Sequence, residues 1–385
     1  YNEIAYTIFN TYNPSLGPFS GTDFRPGDLQ NRELQVQADF SKEFTVDGLA
    51  GPAILAFGLS YMDEQFDVVQ SRDFSSYVPG PWAVSDPFGF CDGGAPTANG
   101  QAVIDAGTGA DLDCANPSDP VFRAFAVGSN GFPGYNPDFA GVFDRDSYAA
   151  YVDLSADVTS KWLLEGAVRY EDYSDFGSAL VGKIATRYYL TENLAVRGSV
   201  GTGFRAPTPG QQGTVNVSTV LPFGEPVAQG IFPPTSAPAQ ALGATPLDAE
   251  DTLNYTLGFT ATLGDLTLTV DGYWIEIQDR VNAVTVREIS TNPANAAAFA
   301  NFQALEAAGV PNADQLGQVN WFTNAFDTIT KGFDVVATYP VEWGGGHSTT
   351  FSLAYNYNEQ ELDSEPGEFF SPFSLFNFEN DLLED

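Results

Sequence analysis

From Ser147 to Val158 every second residue is apolar. Tyr148, Ala150, Val152, Leu154, Ala156 and Val158 fall on one face; Tyr151, Asp153, Ser155 and Asp157 fall on the other. Successive side chains of a strand point to opposite faces, so this spacing predicts a two-faced strand. Its partner follows across Thr159–Ser160, with Trp162, Leu164, Gly166, Val168 and Tyr170 against Glu165, Arg169 and Glu171.

The same rhythm recurs along the chain and predicts about ten strands in five hairpins. The pairs are 33–46 with 53–66, 147–158 with 161–172, 178–190 with 194–205, 251–263 with 266–278, and 330–342 with 347–358. Their turns are short, such as Gly264-Asp265 and Gly344-Gly345-Gly346, and suit tight hairpins. Most connections between hairpins are long: 67–146, 206–250 and 279–329, with only 173–177 short and the last open from Glu359 to Asp385. Within 279–329, Asn292-Pro293 before an Ala-rich run that ends at Gly309 predicts a short helix. Long loops are unusual in compact soluble domains. Tight turns at one end, long loops at the other and two-faced strands of roughly ten residues predict an all-β, antiparallel, up-and-down transmembrane β-barrel. Trp162, Tyr188, Tyr189, Tyr339 and Trp343 lie near the tight turns, as an interfacial aromatic girdle would.

No run of about 18 apolar residues occurs, so the sequence offers no transmembrane helix. A closed barrel is the other way to satisfy the backbone in lipid. The formal net charge is −35, from 15 Lys+Arg against 50 Asp+Glu. That balance excludes nucleic acid as a partner, because phosphate must be neutralised by basic groups. With the tight turns on the periplasmic side, both 1–32 and 359–385 lie on the outer side, which predicts a piece of a longer barrel.

The sequence supports little catalytic chemistry. His347, the single histidine, sits beside a glycine turn. Too few soft ligands exist for zinc. Asp111 with Asp113, or Asp144 with Asp146, could contribute to a calcium site, but neither pair has the glycine and distal Glu of an EF-hand loop. Between Met62 and Asp144 twelve acids face only Arg72 and Arg123, a field that concentrates cations or simply keeps the loops solvated. Glu165, Arg169, Lys183, Arg187, Arg197 and Arg205 are expected on the inward face, lining a hydrated lumen. Cys91 and Cys114, isolated in one Gly/Pro/Asp-rich segment, are expected to form a disulfide; two free thiols are the alternative.

Leu194-Ala195-Val196-Arg197-Gly198-Ser199-Val200-Gly201-Thr202-Gly203-Phe204-Arg205-Ala206-Pro207 resembles a barrel motif of TonB-dependent outer-membrane receptors. There, a strand ending in a G-x-G-F-R-A-P-like run leads into an outer loop. The stretches Trp321–Asp334 and Gly344–Asn358 resemble further strands of that family. The resemblance implies that the chain is part of a barrel of about 22 strands with a plugged lumen. It implies a globular N-terminal plug through which the TonB complex acts, with outer-membrane lipid and an imported small molecule as the other partners. It implies no enzyme and no cofactor. The function expected is energised uptake of a scarce ligand: a ferric siderophore, cobalamin or an oligosaccharide. A passive porin-like channel and a soluble all-β carbohydrate-binding module are the alternatives.

Overall fold

The computed structural model describes residues 1–364 except 110, 117, 118, 131, 136, 138, 139, 221–226, 311 and 312. The end of the last loop, 365–385, therefore lies outside the described residues. Eleven strands form one antiparallel sheet: β1 (Asn2–Ile8), β2 (Phe24–Phe44), β3 (Ala53–Gln70), β6 (Gly141–Thr159), β7 (Trp162–Tyr173), β8 (Gly177–Thr191), β9 (Leu194–Arg205), β12 (Glu250–Leu263), β13 (Leu266–Ala283), β16 (Phe322–Trp343) and β17 (His347–Leu362). They pair in chain order, so the topology is up-and-down, and β1 and β17 are the two edges of a sheet that does not close on itself. Two smaller sheets lie in the long loops. One is the ribbon of β4 (Cys91–Asp92) and β5 (Ala95–Pro96); the other has four strands, β10 (Asn216–Val220), β11 (Val227–Ile231), β15 (Leu316–Asn320) and β14 (Arg287–Glu288). Among the described residues four α-helices accompany them: α1 (Ala98–Asp105), α2 (Pro209–Gly213), α3 (Ala237–Ala241) and α4 (Ala296–Ala307).

The expected antiparallel all-β wall is present, with differences at the loop end. There are eleven strands in the wall rather than about ten, because 1–32, read as loop, contributes β1 and the start of β2. The loop 67–146 shrinks, since β3 runs to Gln70 and β6 starts at Gly141. The loop 279–329 likewise loses residues to β13 and β16 and gains β14, α4 and β15. The reason is physical. Near the loop end both faces of a strand meet water or protein, so the apolar half of the alternation is no longer required and the period fades. The helix expected after Asn292-Pro293 is α4, but its N-cap is Asn295, and Gly309 at φ 71 follows its end.

One face of the main sheet carries the apolar residues, and they are exposed. Leu59, Val152, Val168, Leu180, Ile184, Leu257 and Leu353 are each more than half exposed. In water such a surface would be far larger than soluble proteins tolerate; against lipid it is the required one. Aromatic pairs frame it. Trp162 registers with Tyr188, and Tyr339 with Phe351, near the tight turns. Tyr61 packs on Tyr148 with centroids 5.0 Å apart, and Phe333 on Tyr357 at 5.7 Å, nearer the loops. Trp162 and Tyr170, both on β7, are separated by about 26 Å of strand at about 3.3 Å per residue. A tilt of about 40° reduces this to about 20 Å of height, close to the apolar band of an outer-membrane barrel. Tyr189 departs from the expected girdle: it lies on the opposite face, where the Arg187 guanidinium sits 5.1 Å over its ring.

The loop end has its own hydrophobic core. Phe232, Ala239, Val284, Ile289, Leu305, Ala313, Val319 and Trp321 cluster there, with Trp321 and Leu305 fully buried. This core joins the four-stranded sheet to α3 and α4 and packs described residues of 206–250 against described residues of 279–329.

Candidate functional site: a polar inner wall below a loop cleft

The face opposite the exposed apolar side chains carries the expected charges. Register places Arg187 beside Arg197, Arg197 beside Gly258, Gly258 beside Asp271, Asp271 beside Asp334 and Asp334 beside Asn356. This is one polar row across six strands. Arg197 Nε donates to Asp271 Oδ1 at 2.8 Å, reaching over the intervening strand. Gly258 permits that reach, because a Cβ there would collide with the Asp271 carboxylate. Asn356 Nδ2 donates to Asp334 Oδ1 at 2.6 Å. Glu165, Lys183, Arg187 and Arg197 together line a recess of about 370 Å³ on this wall.

Arg169 and Arg205 stand apart from that recess. Arg169 Nε donates to Glu171, which also accepts from the Tyr173 hydroxyl at 2.6 Å. Arg205 Nη1 lies 3.6 Å from Glu250 Oε2, its register partner on β12. The run Gly201, Thr202, Gly203, Phe204, Arg205, Ala206 and Pro207 is the end of β9 and its exit toward α2. Thr202 Oγ1 accepts from the Gly182 amide at 3.0 Å, and the Phe204 ring meets Tyr173 edge-on at 6.0 Å.

Arg145, which the sequence reading passed over, anchors that exit. It is buried on the inner face of β6, with Nε donating to Glu64 Oε2 at 2.6 Å and Nη1 to the Pro207 carbonyl at 2.6 Å. Asp175 lies 3.8 Å away, and the guanidinium covers the Tyr173 ring at 5.1 Å. A signal was present in the sequence: Arg145 is the lone cation in Asp144-Arg145-Asp146, a stretch read only for its acids. Among the described residues no three His, Cys, Asp or Glu side chains converge as a bound metal ion requires.

Beyond the inner wall, at the loop end, lies a cleft of about 1850 Å³. Described residues between Trp82 and Asn130, with Tyr12, Pro14 and Gly17, line it together with Ala228, Ile289–Thr291, Asp314, Leu316 and Gly317. The first group is tied together by a buried residue, Asn13. The Asn13 Nδ2 donates to the carbonyls of Ser75 and Val78 at 2.9 and 3.1 Å, and its Oδ1 accepts from Ser15 and Gly128 amides. The Trp82 amide donates to Ser15 O, and the Phe125 amide to Trp82 O, both at 3.0 Å. Gly17, at φ 53, lies under the Trp82 ring, where a Cβ would come within 3.0 Å of it. Burial pushes the nearby Tyr135 phenol above its ordinary range.

Cys91 and Cys114 are joined, with Cα atoms 5.4 Å apart. The bridge holds a loop whose Phe90 backbone is also fixed: the Asp86 carboxylate accepts from the Phe90 and Cys91 amides at 2.9 and 2.7 Å. Closing a loop of this length removes about 3 kcal/mol of chain entropy from the unfolded state. Replacing both cysteines with serine is expected to leave the wall intact and to speed proteolytic nicking between 92 and 113. Limited proteolysis with peptide mapping reads this directly; an unchanged nicking rate would show that the cleft side holds without the bridge.

A wide antiparallel sheet with an exposed apolar face, a polar face behind it and folded loops at one end defines a β-barrel wall. The family model described as "TonB dependent receptor-like, beta-barrel" matches residues 1–377, and the chain belongs to that family. Among curated proteins, the vitamin B12 transporter BtuB of Photobacterium profundum is 40% identical over 65 residues, which is 17% of this chain and 11% of that protein. BtuB of Vibrio cholerae is 36% identical over 70 residues, 18% of this chain and 11% of its own length. Among solved structures, the siderophore receptor PirA of Pseudomonas aeruginosa aligns with a TM-score of 0.51 at 11% identity, over 89% of this chain and 45% of that one. The ferric enterobactin receptor PfeA of the same organism aligns at 0.52 and 10% identity, over 92% and 40%. At such identities the structural likeness speaks for the fold alone. The chain thus spans less than half of these receptors.

Proposed function

We propose that this chain is barrel wall and outer loops of a receptor that captures a scarce ligand at the surface of a Gram-negative outer membrane and imports it with energy delivered through TonB. In this reading residues 1–385 are part of one barrel domain, lipid covers the apolar face, and the polar row faces the plug. The observation that carries the reading is the vertical order of surfaces. An open, hydrogen-bonded loop cleft stands beyond a wall face lined by charge, while the opposite face is apolar. A static wall stores no energy, so concentrative uptake draws on an outside source. The cationic residues Lys183 and Arg187 supply attachment points for acidic groups of a plug, while Arg197 and Arg205 are held by Asp271 and Glu250 on the wall itself.

The test is ligand accumulation by cells producing the full-length receptor, with and without TonB. Accumulation against a gradient only in the TonB-positive cells is expected. Equal uptake in both would make the protein a passive channel. Epitope tags in 71–140 are expected to be reachable on intact cells, and tags at Gly264 or Gly345 are not; equal labelling would overturn the orientation.

A further inference from the structure

The lining of the loop cleft is unusual in its combination of rings and charge. Tyr12, Trp82, Phe88, Phe90, Phe122 and Phe125 all contribute to it. Phe88 stacks on Phe90 with centroids 5.4 Å apart and meets Phe125 edge-on at 5.7 Å. Tyr12 and Phe88 are nonetheless 55% and 50% exposed, and Phe125 39%, although they sit beyond the lipid-facing band. Lipid does not cover these rings, so the parts of Tyr12, Phe88 and Phe125 that their neighbours leave uncovered are open to whatever enters the cleft.

The charged lining is acidic. Asp111, Asp119 and Asp314 line the cleft against one cation, Arg123. Two of the Asp119 acceptor sites are already used, by the Asp113 and Val121 amides. Asp111 and Asp314 are exposed. Screening in physiological salt acts over about 8 Å, so the distant charges of the chain matter little, whereas carboxylates in the lining lie within that range of a ligand in the cleft. A ligand bearing several negative charges would meet repulsion here. The carboxylates of Asp111 and Asp314 only accept hydrogen bonds, and a ligand that donates them suits these two groups. The volume exceeds the usual range for a small-molecule pocket, about 300–1,000 Å³, which fits a ligand of several rings.

Building on the receptor reading above, we infer that the cleft takes an uncharged oligosaccharide, whose C–H faces stack on Trp82 and the Phe88–Phe90 pair while its hydroxyls donate to Asp111 and Asp314. Aromatic rings bind sugars by the apolar faces of the pyranose, and the rigidity of the Asn13-tied wall keeps the cost of ordering low.

The experiment uses the full-length receptor in detergent, titrated with neutral hexasaccharides (malto-, cello- and xylohexaose) and separately with the ferric tris-catecholate trianion, read by calorimetry. At least one hexasaccharide is expected to bind more tightly than the trianion, with an affinity that does not change with salt. Trp82→Ala and Phe88→Ala should each weaken that binding by roughly tenfold, while Trp82→Phe, which keeps a ring, retains most of it and shows that the loop still folds. Tighter binding of the trianion, no binding of any hexasaccharide, or full binding by both alanine variants would overturn the assignment. Binding in detergent needs no TonB, so this result is independent of whether uptake is energised.

Discussion

Arg145→Ala is expected to destabilise the loop end of the wall by about 3 kcal/mol, toward the lower edge of what breaking a buried ion pair costs. The lower edge applies because the Glu64 side chain keeps 18% exposure while that of Arg145 has only 5%. The loss has several parts. Glu64 is left without its cation, the Pro207 carbonyl loses its donor, and the Tyr173 ring loses the guanidinium above it. Removing one partner is worse than replacing both, since the remaining charge stays desolvated. The double variant Arg145→Met with Glu64→Gln is therefore expected to recover a large share of the loss. The measurement is the denaturant midpoint of the full-length receptor in bilayers, with hydrogen exchange across 205–214. Faster exchange confined to that segment is the expected signature, because Arg145 ties the exit of β9 to β3 and β6. An unchanged midpoint and unchanged exchange would show that water serves the Pro207 carbonyl equally well.

How much of this was legible in the residues depends on where they lie. The wall was readable because a sheet with one apolar and one polar face imposes a strict two-residue period. That period set the pairing of Trp162 with Tyr188 and put Lys183, Arg187 and Arg197 together on the face opposite the apolar one. At the loop end the helix after Asn292-Pro293 and the Cys91–Cys114 bridge were readable, but the strands were not, because the periods there compete. The Val227–Ile231 strand pairs in parallel with Leu316–Asn320, almost ninety positions away, and nothing local in either segment announces it. Trp321 was quoted for its place in a family-like stretch, yet its role is to fill the core of the loop unit. The reach of Arg197 over Gly258 to Asp271 was equally hidden, since it depends on three strands being in register at one glycine. Tyr189 shows the opposite failure. Its neighbour Tyr188 faces outward, and two adjacent aromatics on one strand cannot share a face.

Leu257→Arg should be far more damaging than Thr256→Arg, although the two residues are neighbours on β12. Leu257 is 69% exposed on the apolar face, midway along a strand that runs from Glu250 to Leu263. Thr256 faces the other way, its hydroxyl 2.7 Å from that of Ser199. An arginine at the bilayer midplane costs about 2–4 kcal/mol, while lumen positions accept charge. Were the sheet in water, the order would vanish: a 69% exposed leucine accepts arginine with an effect within about 0.5 kcal/mol. The pair of substitutions thus separates a membrane wall from a soluble sheet without knowledge of any ligand. Folding of the full-length receptor into liposomes, followed by the denaturant midpoint of each variant, gives the answer. A midpoint lowered for Leu257→Arg and preserved for Thr256→Arg is expected. Equal behaviour of the two would place water, not lipid, against Leu257, and the exposed apolar face would then need a protein partner to cover it.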